Sequence, residues 1–416
     1  MTLSDELTWR GLINQTTFKD IKELDKEPIT FYWGVDPSAD SMTVGNLAAA
    51  MMVKTFIKHG HKPVLLVGGA TGLIGDPDGK KSERDLIGEQ QININKGKIV
   101  DQYKRIFGDN QFTLVDNYDW FKNMDYLSFL REIGKHVPMR QMLGREFVES
   151  RLKEDGTGIS YAEFSYVLIQ AYDFLHLFET NNVTLQVCGS DQWGNCIAGV
   201  DLIRRKTGES ANVFSAPLIV DPDSGVKFGK SEQGAIWLDP NKTTPTSYYQ
   251  FWINIEDSVV ENYLKIFTEI GEQELNQIMN AQKADPGKRI AQSKLAELTT
   301  RLLHGEDALK KAQEITDILI GKKDIGSIEG EELINMLRSE IPSVKCTENA
   351  EVAQVLLDAG LVSSKTEARQ FINNRAISVN NERIERENFN PSDFKNGKLI
   401  IRRGKAFKDS ALIELG

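Results

Sequence analysis

The sequence predicts an α/β fold: a parallel-sheet domain, then an all-helical segment, then a small α+β tail. Three observations carry this. Strand-like and helix-like segments alternate through the first half of the chain, the pattern of a parallel sheet with helices on both faces. From Val259 to Lys311 the strand pattern vanishes and only helix formers with amphipathic spacing remain. After Glu348 two short helical patterns precede a run that reads as a hairpin, Ala376 to Val379, Asn380-Asn381, then Arg383-Ile384.

The elements follow in order. Ile29 to Val35 (ITFYWGV) is rich in aromatic and β-branched residues and stops at Asp36-Pro37, so it reads as a strand. A periodic apolar segment from about Gly45 to Lys58 reads as a helix. The continuous apolar run Pro63 to Val67 reads as a buried strand, followed by a glycine cluster. Phe112 to Val115 and Thr184 to Val187 are further strands, and Tyr161 to Glu179 is a long helix between them. The expected domains are 1–225 (the parallel sheet), 226–321 (helical, with a lysine-rich loop at its start), 322–347 (a charged, glycine-punctuated linker) and 348–416 (the tail).

Composition narrows the function classes. The chain has 416 residues, 40% hydrophobic and 26% charged, which excludes collagen-like and wholly disordered chains. No apolar run is long enough to cross a bilayer, so no membrane association is expected. The amino terminus lacks a basic start followed by an apolar stretch, and a secretory signal is not expected. Three cysteines without a C-x-x-C pair suit a reduced, cytoplasmic setting. Net charge is −10, which argues against bulk attraction to nucleic acid. The stretch from Cys346 to Gly416 departs from that average, with 11 basic against 10 acidic residues.

Four constellations could carry chemistry. On the helix around Tyr166, the residues Tyr166, Gln170 and Asp173 fall within a sector of about 60°. Most other positions there are apolar, so this polar stripe faces either a ligand or water. Gly189-Ser190-Asp191-Gln192 follows the fourth strand and could contact a sugar or carboxylate, or simply cap the next helix. Gly68 to Pro77 places glycines and Asp76 at a strand end, yet it matches neither G-x-G-x-x-G nor a P-loop. Lys227-Phe228-Gly229-Lys230-Ser231 is a cationic loop suited to a polyphosphate, though alone such a run reads equally as a solvated turn.

Taken together, DPSADS and TVGNL, VGGATGLIGDP with GKKSER, EFSYVLIQAYDF, GSDQWGN and KFGKS resemble, in order and spacing, the bacterial tyrosyl-tRNA synthetases. These are class I aminoacyl-tRNA synthetases with a Rossmann-like catalytic domain. The likeness starts at Trp9-Arg10-Gly11-Leu12 and resumes in the tail, which is similar to an S4-like RNA-binding domain. The resemblance implies a ligase that joins L-tyrosine to ATP and then to tRNA(Tyr), and a homodimer. It implies that Tyr32 and Asp173 hold the substrate phenol, that Asp76, Tyr166 and Gln170 hold its ammonium group, and that Gln192 meets its carboxylate. ATP would lie on Gly34, Asp36, Ser38, Thr43, Gly45, Asn46, Gly189, Asp191 and Lys230. Lys227, Lys230 and Ser231, helped by Lys80 and Arg84, would stabilise the polyphosphate. Magnesium would arrive with the pyrophosphate, with no dedicated protein metal site.

One departure stands out. The family's His-Ile-Gly-His signature reads Thr43-Val44-Gly45-Asn46 here, so both imidazoles are missing. Thr43 can offer a hydroxyl and Asn46 an amide, but neither carries charge. The alternative reading is therefore a catalytically weak or silent RNA-binding homologue. A tryptophan ligase is disfavoured, because an indole has no phenol for Asp173. RNA contacts are expected at Lys365 and Arg369, which share a helix face, at Arg375, and at Arg402, Arg403 and Lys405. Arg204 and Arg205 are a second expected contact, although cations also belong at a helix carboxyl end.

Overall fold

The structure, a computed structural model, describes residues 1–77, 86–108, 111–144, 146–153, 156–220, 228, 230–231, 234–328, 330–404 and 409–416. It divides into two compact units, Met1–Lys242 with Glu256–Leu295, and Thr243–Ile255 with Ala296–Gly416.

The first unit is built on a six-stranded sheet. Its strands are β1 (Gln15–Thr16), β2 (Thr30–Val35), β3 (Lys62–Val67), β4 (Thr113–Asp116), β5 (Leu185–Gly189) and β6 (Asn212–Ala216), in the order β1-β6-β5-β2-β3-β4. All pairings are parallel except β1 with β6. The chain runs outward from β2 through β3 to β4, then returns to lay β5 on the other side of β2. That reversal creates a crevice beyond the carboxyl ends of β2 and β5, the place where such sheets hold ligands. β6 and β1 carry no clear strand signal in the sequence because they are short and their pattern is mixed.

Local chemistry sets the helices that frame the crevice. Val44–Lys58 begins at Thr43, whose extended backbone (φ −108°) makes it the capping residue. Tyr161–Asn181 begins where the Ser160 hydroxyl accepts the Glu163 amide, and ends at left-handed Asn182 (φ 54°). Buried Glu163 is clamped by both terminal nitrogens of Arg151, at 3.1 and 2.8 Å. Val167, Leu168, Ala171, Phe174, Leu175 and Leu177 of this helix pack with Leu202 and Ile203 of the Trp193–Thr207 helix and Val213 of β6. The buried apolar sides of the helix thus leave Tyr166, Gln170 and Asp173 to face the sheet end.

In chain order, the helices Val260–Phe267, Glu272–Ala284 and Ile290–Leu319 come between the sheet and the tail, the last broken at Gly305 (φ 81°). A two-stranded ribbon joins β7 (Lys230–Ser231) and β8 (Gly234–Ala235).

In the second unit a five-stranded sheet runs β11 (Glu382–Arg383), β10 (Ile377–Val379), β12 (Lys398–Arg403), β13 (Ser410–Leu415), β9 (Ser343–Cys346). The hairpin turns on Asn380 and Asn381, both at positive φ (47° and 69°), as a two-residue connection requires. The segment expected as a linker is not one. It contains the Glu331–Glu340 helix and β9, whose strand pairs in parallel with β13. Ile334 and Leu337, one helical turn apart, are buried with Ile315, Ile318, Ile400 and Leu412. Arg338 adds a forked ion pair to Glu414. Four apolar residues (Leu333, Ile334, Met336 and Leu337) among charges look like solvent-exposed sequence, but a neighbouring apolar face draws them into or against the core.

Candidate active site

A cavity of about 340 Å³ opens at the β2/β5 crevice. Tyr32, Gly34, Asp36, Ser38, Thr43, Gly45, Asn46, Asp76, Tyr166, Gln170, Asp173, Gly189, Asp191 and Gln192 all line it. The expected contacts are thus brought together from four separate stretches of chain. Lys80, Arg84, Lys227 and Lys405 lie outside the described residues, as do the side chains of Lys230 and Ser231.

At the deep end Tyr32 and Asp173 are each 2% exposed. Tyr32 leans on Phe174 with ring centroids 5.3 Å apart, and its hydroxyl has no partner among the described residues. Burial, then neighbouring Cys196 and Asp173, hold its phenol well above the ordinary tyrosine range. Asp173 is held from two sides: Asn117 Nδ2 donates to one oxygen at 3.0 Å and Trp120 Nε1 to the other at 2.9 Å. Burial pushes its carboxyl well above the usual carboxylate range, and those two donors oppose the rise.

A hydrogen-bonded chain leads from Asp173 toward the sugar-and-phosphate end. Asn117 also donates to Thr71 Oγ1 at 3.0 Å, Thr71 donates to Asp36 at 2.6 Å, and Tyr166 donates to the other Asp36 oxygen at 2.7 Å. Asp36 therefore orients Tyr166, a link that spacing alone does not reveal. Gly68 is obligatory here: a Cβ would lie 2.1 Å from Thr71 Oγ1 and 2.2 Å from Asp36 Oδ1. Gln192 Nε2 donates to Asp76 at 2.5 Å, and Asn195 Nδ2 holds the Gln192 carbonyl at 3.0 Å. The amide expected at a carboxylate and the carboxylate expected at an ammonium group thus hold each other.

The helix after β2 presents its amino end to the cavity, a position that favours negative charge, with the Val44 amide already donating to the Ile236 carbonyl at 3.0 Å. Its first residues differ from expectation. The Thr43 amide and hydroxyl both donate to Asn46 Oδ1, at 2.9 and 3.1 Å. The Thr43 hydroxyl, expected to reach a ligand, is engaged within the loop.

Three residues missed from the sequence support the site: Gln186 lines the cavity, while Asn117 and Trp120 hold Asp173 without lining it. Asn117 and Trp120 follow β4 in a stretch with no periodic signal. Gln186 is 3% exposed, faces Tyr32 across the β2–β5 register, and leaves its Oε1 without a partner among the described residues. The available signal was a glutamine inside an otherwise apolar strand. Gln170 Oε1 is likewise unpaired, while its Nε2 approaches Cys196 Sγ at 4.0 Å. Leaving a buried polar atom unpaired costs about 1–3 kcal/mol. Three around one cavity mark a site that expects a polar guest.

The described cations expected at RNA are each tethered. Lys365 and Arg369 share a face as expected, and both grip Glu351, at 2.9 and 3.0 Å. Arg375 pairs with Glu385, and Arg403 with Asp409 at 2.9 Å. Arg402 donates to the Leu319 carbonyl and to Asn381, while Arg204 pairs with Asp201 and Arg205 donates to the His136 carbonyl.

A switch-point cavity with a helix amino end on one wall and an amphiphilic amino-acid pocket on the other is the layout of a class I aminoacyl-tRNA synthetase. Residues 24–320 match the family described as tRNA synthetases class I (W and Y), and residues 332–408 match the tyrosine–tRNA ligase SYY-like C-terminal domain. Among curated proteins, tyrosine–tRNA ligase of Bacillus caldotenax is 45% identical over 393 residues, covering 92% of each chain. That of Ligilactobacillus salivarius is 43% identical over 97% of this chain and 98% of its own. A crystal structure of a C-terminally truncated Aspergillus nidulans mitochondrial tyrosyl-tRNA synthetase superposes with a TM-score of 0.67 at 31% identity, covering 75% of this chain and 92% of that one. The chain belongs to the tyrosyl-tRNA synthetase family.

Proposed function

We propose that this chain activates L-tyrosine with ATP and then esterifies the 3′ end of tRNA(Tyr), and that the residues expected from the sequence carry the reaction. The observation that carries this reading is the deep pocket in which the unpaired Tyr32 hydroxyl and the doubly held Asp173 offer partners for a phenol.

In this reading Tyr32 and Asp173 engage the substrate hydroxyl. Phenylalanine would leave the Tyr32 hydroxyl without a partner and give Asp173 no phenol to meet, a penalty that a purely apolar pocket could not impose. Asp76, Tyr166 and Gln170 receive the ammonium group, and Gln192 turns from Asp76 to the carboxylate. Gly34, Asp36, Ser38, Gly189 and Asp191 receive the nucleoside, while Thr43, Gly45 and Asn46 line the phosphate path. A tyrosine carboxylate oxygen then attacks the α-phosphorus, and the bond to pyrophosphate breaks on the opposite side. No covalent enzyme nucleophile is needed. The protein aligns the reactants and offsets charge growing on the leaving group, the task assigned to Lys227, Lys230 and Ser231 with Lys80 and Arg84. Magnesium comes with the polyphosphate and neutralises part of its charge. In the second step a terminal ribose hydroxyl attacks the tyrosyl carbonyl carbon, and AMP departs.

The tail cations Lys365, Arg369, Arg375, Arg402, Arg403 and Lys405, with Arg204 and Arg205, are assigned to tRNA. A homodimer is supported by exposed Tyr126, Leu127 and Tyr161, apolar surface of a kind that marks protein contacts. No helix among the described residues is long and apolar enough to cross a membrane, and the site of action assigned is the cytoplasm.

Tyrosine-dependent exchange of labelled pyrophosphate into ATP tests the reading. Exchange is expected, and Asp173→Ala should abolish it. The mutual closure of Thr43 and Asn46 favours the second reading, a silent RNA-binding homologue, and tRNA retention without exchange at any magnesium concentration would establish it instead.

A further inference from the structure

We infer that His176 is a positioning residue for substrate recognition: its imidazole, stacked on Trp120, holds the indole N–H against Asp173 and so sets the preference for a phenol over a plain phenyl ring. The inference rests on the assignment of Asp173 to the phenol.

The geometry is specific. The Trp120 and His176 rings lie 4.4 Å apart at 24°, a stacked pair. The edge of the same indole donates Nε1–H to Asp173 Oδ1 at 2.9 Å. Asp173 and His176 are three residues apart on the Tyr161–Asn181 helix and therefore share a face. One helix thus supplies both the acceptor at the indole edge and the flat support beneath its plane.

The support matters because Trp120, although packed against the core, is only half-buried. It sits on the four-residue helix Tyr118–Phe121, none of whose residues is fully buried. The other donor to Asp173, Asn117, is fully buried and is fixed by the Ala70 amide and Thr71. Of the two arms on Asp173, the indole is the less buried and the one whose plane rests on His176. His176 does not line the cavity, so it acts only through Trp120. Burial lowers the imidazole's proton affinity, with Glu179 opposing, which keeps the ring neutral and able to stack at neutral pH. Tyr172, 6.0 Å away at 44°, flanks it.

Without the imidazole the indole gains rotamers and Asp173 Oδ1 loses its donor part of the time. The carboxyl then meets the phenol less often in the right pose. Because Trp120 and His176 lie away from the nucleotide end, ATP binding is untouched.

The test uses the full-length enzyme and pyrophosphate exchange with tyrosine and with phenylalanine. His176→Ala should raise the tyrosine KM about two- to twelvefold, the worth of one aromatic pair. It should lower the tyrosine-to-phenylalanine ratio of kcat/KM by a similar factor and leave kcat and the ATP KM near wild type. His176→Phe, which keeps a flat ring, should restore both. A His176→Ala enzyme with wild-type tyrosine KM and selectivity overturns the inference. So does a His176→Phe enzyme as impaired as the alanine variant, or a loss shared equally by the tyrosine KM, the ATP KM and kcat. Asp173→Asn separates the two levels: if it spares tyrosine KM and selectivity, the assignment of Asp173 itself fails. If it impairs them while His176→Ala is silent, only the role of His176 fails.

Discussion

Replacing Tyr32 with Phe should move stability and activity in opposite directions. In the free protein the Tyr32 hydroxyl is buried and unpaired among the described residues, so folding desolvates it without compensation. Deleting it removes a penalty of about 1–3 kcal/mol, offset in part by lost contacts, for a net gain near 1 kcal/mol. For a unit of this size that raises the melting midpoint by about 2 °C. With tyrosine bound the same hydroxyl makes one neutral hydrogen bond worth about 0.5–1.5 kcal/mol, and its loss raises the tyrosine KM about two- to twelvefold. Phenylalanine, which never made that bond, should be used no worse. Thermal melts without and with saturating tyrosine, alongside exchange kinetics on both amino acids, read all four quantities. A lower midpoint in the tyrosine-free variant, or an unchanged tyrosine-to-phenylalanine ratio, would refute the claim that this hydroxyl is unsatisfied in the free protein and satisfied by substrate.

Other expectations follow from single contacts. Gly68→Ala drives a methyl into Thr71 and Asp36, so both the melting midpoint and exchange activity should fall; full activity would mean that the Asp36 chain is dispensable. Glu6 is buried, which raises its pKa, but hydrogen bonds from His59, Lys58 and Arg10 outweigh this and bring the carboxyl from its ordinary 4.5 to about 2. Its folded-state value lies below the unfolded one, so its contribution, about 3 kcal/mol, is complete above the unfolded value and is lost as pH falls toward the folded one. Glu6→Gln should therefore be destabilised at neutral pH and flatter than wild type across that acid range in chemical denaturation. Glu351→Gln releases Lys365 and Arg369, and tRNA affinity at low salt should rise, with a steeper salt dependence of about 0.7–0.9 per added phosphate contact. A weaker complex in filter binding would place those cations away from the RNA.

The helix at the centre of this site is legible in the sequence because its physics is local. Spacings of four and three residues put Tyr166, Gln170 and Asp173 on one stripe, and apolar residues on most other sides pointed to burial while leaving open whether the stripe met a ligand or water. The strands β2, β3 and β5 announced themselves by β-branched and apolar runs ending in glycine or Asp-Pro, β4 by the apolar run Phe112 to Val115, and Asn380-Asn381 announced a hairpin by its tolerance of positive φ. What the linear order hides is which ends meet. Asp36 meets Tyr166, and Asn117 meets Asp173, across gaps of 130 and 56 residues. Gln186 meets Tyr32 only because the chain reverses and lays β5 beside β2. The helix Glu331–Glu340 is the same lesson in packing: too polar to form a core alone, it folds because Ile334 and Leu337 find Ile315, Ile318 and Leu412. Periodicity and capping act through neighbours in the chain, and so they are written there. Partnership of buried polar groups depends on long-range topology, and only the folded chain decides it.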